Sequence, residues 1–233
     1  MAAKTTLVLV PGLLCTRALW EPQMAALGEI AECVVADHTG HDTMPAIARS
    51  ILEAAPPRFA LAGLSMGGFV CLEIVRQAPE RVERLALLDT NARADTPERK
   101  AGRLELIELA EREGAGAAQD ALMPSLVHKD RLAEKPLIDA IHQMGVDTGV
   151  AAFKRQQAAI MARVDSRPLL ASICCPTLVL VGREDDLTPV DLAQEIAAGI
   201  PGARLEIVPD CGHLSTMERP EAVNRALRAW LAQ

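Results

Sequence analysis

A serine sits among glycines in Gly63-Leu64-Ser65-Met66-Gly67, between the apolar run Phe59–Ala62 and a second apolar stretch that follows Gly68. That setting predicts a tight strand-to-helix turn that pushes one hydroxyl outward, where it can attack a carbonyl carbon. Glycines suit such a turn, because larger side chains would collide with neighbouring backbone. A serine hydroxyl is a weak nucleophile unless a base stands within hydrogen-bond reach. Two later segments offer the missing groups. Thr177–Val181 runs into Gly182-Arg183-Glu184-Asp185-Asp186-Leu187-Thr188-Pro189, and Leu205–Val208 runs into Pro209-Asp210-Cys211-Gly212-His213. His213 would take the Ser65 proton and later return one to a leaving group. An acid from 184–186 would hold the imidazole tautomer and stabilise its charged form. Spacing alone leaves Glu184, Asp185 and Asp186 open for that role.

Attack on a carbonyl also needs donors for the developing oxyanion. Val8-Leu9-Val10-Pro11-Gly12-Leu13-Leu14 places a turn directly after an early apolar run. The backbone N–H of Leu13 is the first choice for one donor, with Leu14 the runner-up and also a candidate substrate contact. Met66 supplies the second through its backbone. Further candidate substrate contacts are His38 and the neighbouring His41, Arg155 beside Gln156 and Gln157, and Met161. An inward Arg155 could bind a substrate carboxylate, whereas an outward one is an ordinary surface cation.

These residues need elements to position them. β-rich runs occur at Leu7–Val10, Cys33–Ala36, Phe59–Ala62, Leu85–Leu88, Thr177–Val181 and Leu205–Val208. Helical patterns fall between them, near Ala18–Leu27, Met44–Ala54, Phe69–Gln77, Val190–Ala198 and Pro220–Ala232. Continuous apolar strands alternating with helices predict an α/β fold with a mostly parallel sheet covered on both faces. Loops at the carboxyl ends of parallel strands share one edge, so Ser65, the acidic loop and His213 are expected to meet there. The alternation breaks after Asp89. Residues 91–170 are rich in Ala, Glu, Arg and Leu and too long for an ordinary loop, which predicts a helical cap inserted into a core of residues 1–90 and 171–233. Its charges, such as Arg99, Lys100, Glu105 and Glu108, read as solvated helix faces.

Composition bounds the partners. Half of the 233 residues are hydrophobic, the net charge is −7, and no basic block or aromatic ladder suits a nucleic acid. Leu7–Val10 is too short for a membrane span and lacks the layout of a signal peptide. A cytoplasmic protein with a small-molecule substrate is expected, its oligomeric state open. The six cysteines lack zinc-site spacing and read as free thiols, mostly buried. The histidines share no ligand motif, and the serine chemistry needs neither metal nor cofactor, so none is expected.

Pro11-Gly12-Leu13, the Gly63–Gly67 turn, Gly182-x-x-Asp185-x-x-Thr188-Pro189 and Gly212-His213 together make the chain resemble the α/β-hydrolase superfamily over nearly its whole length. The likeness is to small, single-domain, esterase-like members with helical caps. It implies about six strands, a Ser65–Asp185–His213 triad with Asp186 as the alternative acid, and carboxylic-ester hydrolysis through an acyl-enzyme. Relatives also act on thioesters, amides or carbon–carbon bonds, or transfer acyl groups, and a catalytically silent ligand-binding member is the non-enzymatic alternative. Many relatives carry His-Gly where this chain has Pro11-Gly12, a change in the loop that organises the oxyanion donors rather than in the triad.

Overall fold

The computed structural model describes residues 4–233. Six strands are found among them: β1 Thr5–Val10, β2 Ala31–Val35, β3 Phe59–Leu64, β4 Val82–Leu88, β5 Thr177–Gly182 and β6 Arg204–Val208. They form one parallel sheet in the order β2-β1-β3-β4-β5-β6. Every residue of β3 and β5 is buried, as continuous apolar strands in the middle of a covered sheet must be. The edge strands β2 and β6 instead expose alternate residues.

The core helices are α1 Glu21–Leu27, α2 Met44–Ala54, α3 Met66–Gln77, α7 Arg167–Leu170, α8 Val190–Gly199, α9 Ser215–Glu218 and α10 Pro220–Leu231. One face of the sheet packs against α2, α3 and α8 through residues such as Ile47, Val70, Ile74 and Ile196. The other packs against α1 and α10, with Trp20, Leu27, Leu227 and Trp230 buried between. After β1 the chain moves outward to β2, then crosses back to β3 on the opposite side of β1. This reversal opens a crevice at the carboxyl ends of β1 and β3, the position where open α/β sheets bind ligands.

Three long helices cover that edge: α4 Pro97–Glu113, α5 Ala115–Leu126 and α6 Lys135–Ala162. The last cap helix begins at Lys135, where Pro136 is tolerated in the first turn. Gly149, at φ 72°, bends α6 and resets the faces of its final segment. The cysteines are all free thiols; Cys15, Cys71 and Cys211 are buried and Cys174 is exposed. Among the described residues no helix is long and apolar enough to cross a membrane, and no cluster of three or more His, Cys, Asp or Glu side chains could hold a metal ion.

Candidate active site

Ser65 joins β3 to α3 at φ 55° and ψ −115°, a conformation that non-glycine residues rarely adopt. The backbone holds it there: Ser65 N donates to Leu88 O at 2.9 Å, and Ser65 O accepts from Gly68 N and Thr90 Oγ1. Gly67 lies so close to β1 that a Cβ would run into the Val10 and Pro11 carbonyls. The glycine is therefore demanded by close approach of two chain segments.

His213 follows β6 and reaches across this turn. Its Nε2 stands 2.8 Å from Ser65 Oγ, and its Nδ1 stands 2.8 Å from Asp185 Oδ2. The Asp185 carboxylate also accepts from Leu187 N, Thr188 N and Thr188 Oγ1, so its direction is fixed. Gly182 allows the two loops to touch, since a Cβ there would strike the Gly212 and Cys211 carbonyls. Of the three possible acids, Asp185 meets the histidine. Glu184 ties the loops together by accepting from Cys211 N, and Asp186 is exposed.

Both partners are almost wholly buried, with side-chain exposures of 3% for His213 and 0% for Asp185. Burial pushes the Asp185 carboxyl up, yet the facing His213 and the hydrogen bonds outweigh it and hold the acid below its ordinary value. Burial likewise disfavours a charged His213, but Asp185 overcomes this and raises its pKa above the ordinary histidine value.

The oxyanion candidates separate cleanly. Leu14 N–H is spent on Gln156 Oε1 at 3.2 Å, whereas neither Leu13 N nor Met66 N finds an acceptor among the described residues. Gly12 O is held by Cys15 N and lies 2.9 Å from His38 Nε2. In a trans peptide the N–H points opposite to the carbonyl, so holding Gly12 O away turns Leu13 N–H the other way. Leu13, Met66, Ser65 and His213 all line one cavity of about 310 Å³, walled otherwise by residues such as Phe69, Leu122, Leu126 and Ile160.

Several expected substrate contacts are placed elsewhere. Leu14 is buried behind the cavity against Ala110, Ala118 and Phe153. His38 is 2% exposed and supports the Gly12 carbonyl rather than facing substrate: its Nε2 carries the ring proton and donates to Gly12 O, so the approach of Gln156 Nε2 to 3.0 Å from the same nitrogen is a contact and not a hydrogen bond. Burial lowers the His38 pKa and keeps the ring neutral. His41 is exposed, and Arg155 donates to Thr39 O at 2.7 Å on the outer side of α6. Met161 is half-buried and off the cavity, where its neighbour Ile160 takes the expected place. Arg99, read as a solvated charge, lines the cavity together with Arg103.

Asp89 was not singled out as a site residue. It directly follows β4 at φ 46°, fully buried, and its carboxyl joins Gly182 N to Ser215 Oγ. It thus ties the loop that carries Asp185 to the segment just after His213. Burial, then the nearby Asp185 charge, push its pKa up to about 8. An acid at the carboxyl end of a buried strand was the available signal.

Known proteins share this architecture. A thermophilic esterase from Thermogutta terrifontis is 32% identical and superposes with a TM-score of 0.88, covering 98% of this chain and 91% of that one. The enol-lactonase of Burkholderia xenovorans is 28% identical, with a TM-score of 0.88 over 100% of this chain and 93% of its own. The pimeloyl-[acyl-carrier protein] methyl ester esterase of Nitrosomonas europaea is 26% identical across 92% of this chain and 91% of its own length. These similarities support hydrolase activity of this general kind on small esters. Residues 7–226 match the family model, and the chain belongs to the alpha/beta hydrolase family.

Proposed function

We propose that the protein hydrolyses carboxylic esters through a Ser65–His213–Asp185 triad and a covalent acyl-enzyme. Ser65 Oγ attacks the ester carbonyl carbon while His213 Nε2 takes its proton. Leu13 N–H and Met66 N–H receive the negative charge that develops on the carbonyl oxygen. The tetrahedral intermediate collapses, the alkoxide leaves with the proton from His213, and the acyl group remains on Ser65. Water then attacks that acyl carbon with His213 again as base, releasing the acid and restoring the serine. Asp185 keeps the proton on Nδ1, so that Nε2 is free to accept, and offsets the imidazolium charge.

The observation that carries this reading is the continuous chain Ser65 Oγ, His213 Nε2, His213 Nδ1, Asp185 Oδ2, with both links at 2.8 Å, opening beside two unpaired backbone donors. A cavity of about 310 Å³ lies at the small end of small-molecule sites and favours compact esters. The test is a panel of short esters, thioesters and amides assayed with wild type and Ser65→Ala. Ester turnover that falls by about 10⁴-fold or more in the variant supports the reading. Full retention of turnover in Ser65→Ala would refute it.

A further inference from the structure

The polar surface of the cavity is one-sided. Helix α4 lends it Arg99, Gly102, Arg103 and Leu106, positions spaced so that they share one helix face. A Cβ on Gly102 would meet nothing within 4 Å, so the wall between the two arginines is open. The segment after β4 adds Asn91, itself 2% exposed. Its Oδ1 accepts from Arg93 N, while its Nδ2 finds no acceptor among the described residues. A buried N–H donor left without a partner is costly, and this one belongs to a cavity-lining residue.

Arg103 is only partly satisfied. Nε donates to Asp95 and Nη1 donates to Gln157 Oε1 at 3.0 Å, leaving Nη2 with no hydrogen bond among the described residues. Asp95 cannot offset this charge alone, because Arg163 Nη1 also lies 2.7 Å from its Oδ1, an ion pair not aligned for a hydrogen bond. Arg163 is otherwise occupied: it donates to the Arg93 and Ile160 carbonyls and lies 4.1 Å over the Phe69 ring. One carboxylate thus serves two guanidinium groups. The two guanidinium groups and one carboxylate together carry a surplus of about one positive charge, with Arg99 one turn from Arg103 on the same face. Among the described residues, the one acidic side chain lining the cavity is Asp186, which is exposed.

We infer that the Arg103–Asn91 wall selects esters bearing a free carboxylate, bound by the spare guanidinium nitrogen and the Asn91 amide while Ser65 attacks the ester group. This rests on the hydrolase reading above. A planar, singly charged carboxylate can offer one oxygen to the spare Arg103 Nη2 and the other to the Asn91 amide, donors that a neutral acyl chain would leave unmet. The surplus of about one positive charge suits a monoanion better than a doubly charged phosphate.

Two matched pairs test the inference and locate the carboxylate. Monomethyl glutarate against its terminal primary amide places the charge on the acyl side; O-acetylglycolate against O-acetylglycolamide places it on the alcohol side. Wild type is expected to favour the anion in one pair by about tenfold to a hundredfold in kcat/KM. In Arg103→Gln that ratio should fall to about one. The ratio is independent of the fraction of folded enzyme, so partial unfolding on loss of the Asp95 pair cannot imitate the result. Ratios near one in both wild-type pairs, with neutral esters turned over, would overturn the inference and leave the hydrolase reading standing. Absence of all ester turnover would instead count against that reading. Calorimetric binding of each anionic and neutral ester to Ser65→Ala then tests the inference without turnover: equal affinities for acid and amide in both pairs overturn it, and tighter binding of an acid that Arg103→Gln removes upholds it.

Discussion

At Ser65 the chain accepts a left-handed backbone, with φ 55°, in order to present one hydroxyl to His213. The arrangement makes the pH profile informative. His213 must be neutral at Nε2 to take the serine proton, and Asp185 raises its pKa above the ordinary histidine value. Activity should therefore fall as pH drops through an apparent value above about 6.5 in kcat/KM. Asp185→Asn should lower kcat by about 10⁴-fold and move that limb downward; an unmoved limb would separate the measured titration from this pair. Asp89 gives a second, opposite signature. Unfolded, its carboxyl ionises near 3.8; folded, burial and then the Asp185 charge hold the proton to about 8. The native state binds the extra proton between these values, so this residue's contribution to stability falls as pH rises across that window. Asn at this position keeps an acceptor for Gly182 N and turns the contact with Ser215 Oγ round, the amide N–H donating where the carboxyl oxygen accepts. The melting temperature of wild type should thus drop relative to Asp89→Asn from about pH 4 to about pH 8, whereas parallel curves would contradict the assignment.

Among the elements, the turn after β1 depends on parts drawn from far along the chain. His38 follows β2 and supports Gly12 O; Gln156 comes from α6 and takes Leu14 N–H, leaving Leu13 N–H free. His38→Ala should lower kcat by about tenfold or more with KM little changed, because the oxyanion donor acts in the transition state. A change confined to KM would place His38 in ground-state binding instead. The strands and their carboxyl-end loops were legible in the sequence because a buried parallel sheet demands apolar runs, and because such a sheet brings Ser65, the acidic loop 184–186 and His213 to one edge; spacing alone left Glu184, Asp185 and Asp186 open as the acid. Cap faces were not. Successive helical residues differ by about 100° in direction, and the bend at Gly149 sets the phase of the last segment. Gln156, Gln157 and Ile160 therefore turn inward while Arg155 and Met161 do not. His38 also escaped a correct reading, since nothing local says whether a post-strand histidine faces substrate or supports a neighbouring loop.

Across the molecule, the sheet and the cap pack together around the crevice. Phe153 of α6, fully buried, packs with Leu14 of the β1 turn and with Ala110, Ala115 and Ala118 of the cap. Phe153→Ala should cost about 3–5 kcal/mol of stability, read by denaturant unfolding, and should lower kcat in the fraction that stays folded. Unchanged turnover per folded molecule would show that the cap and the oxyanion turn are independent. The acidic surface and the cationic cavity wall pull in different directions: a chain of net charge −7 places Arg99 and Arg103 beside its candidate nucleophile. The role of Ser65 as nucleophile is tested most directly by intact-mass and peptide analysis after exposure to an alkyl fluorophosphonate. One adduct per chain is expected, on the peptide containing Ser65, absent from Ser65→Ala and slowed in His213→Ala. An unlabelled wild type that hydrolyses esters, or an adduct that persists in Ser65→Ala, would contradict that role.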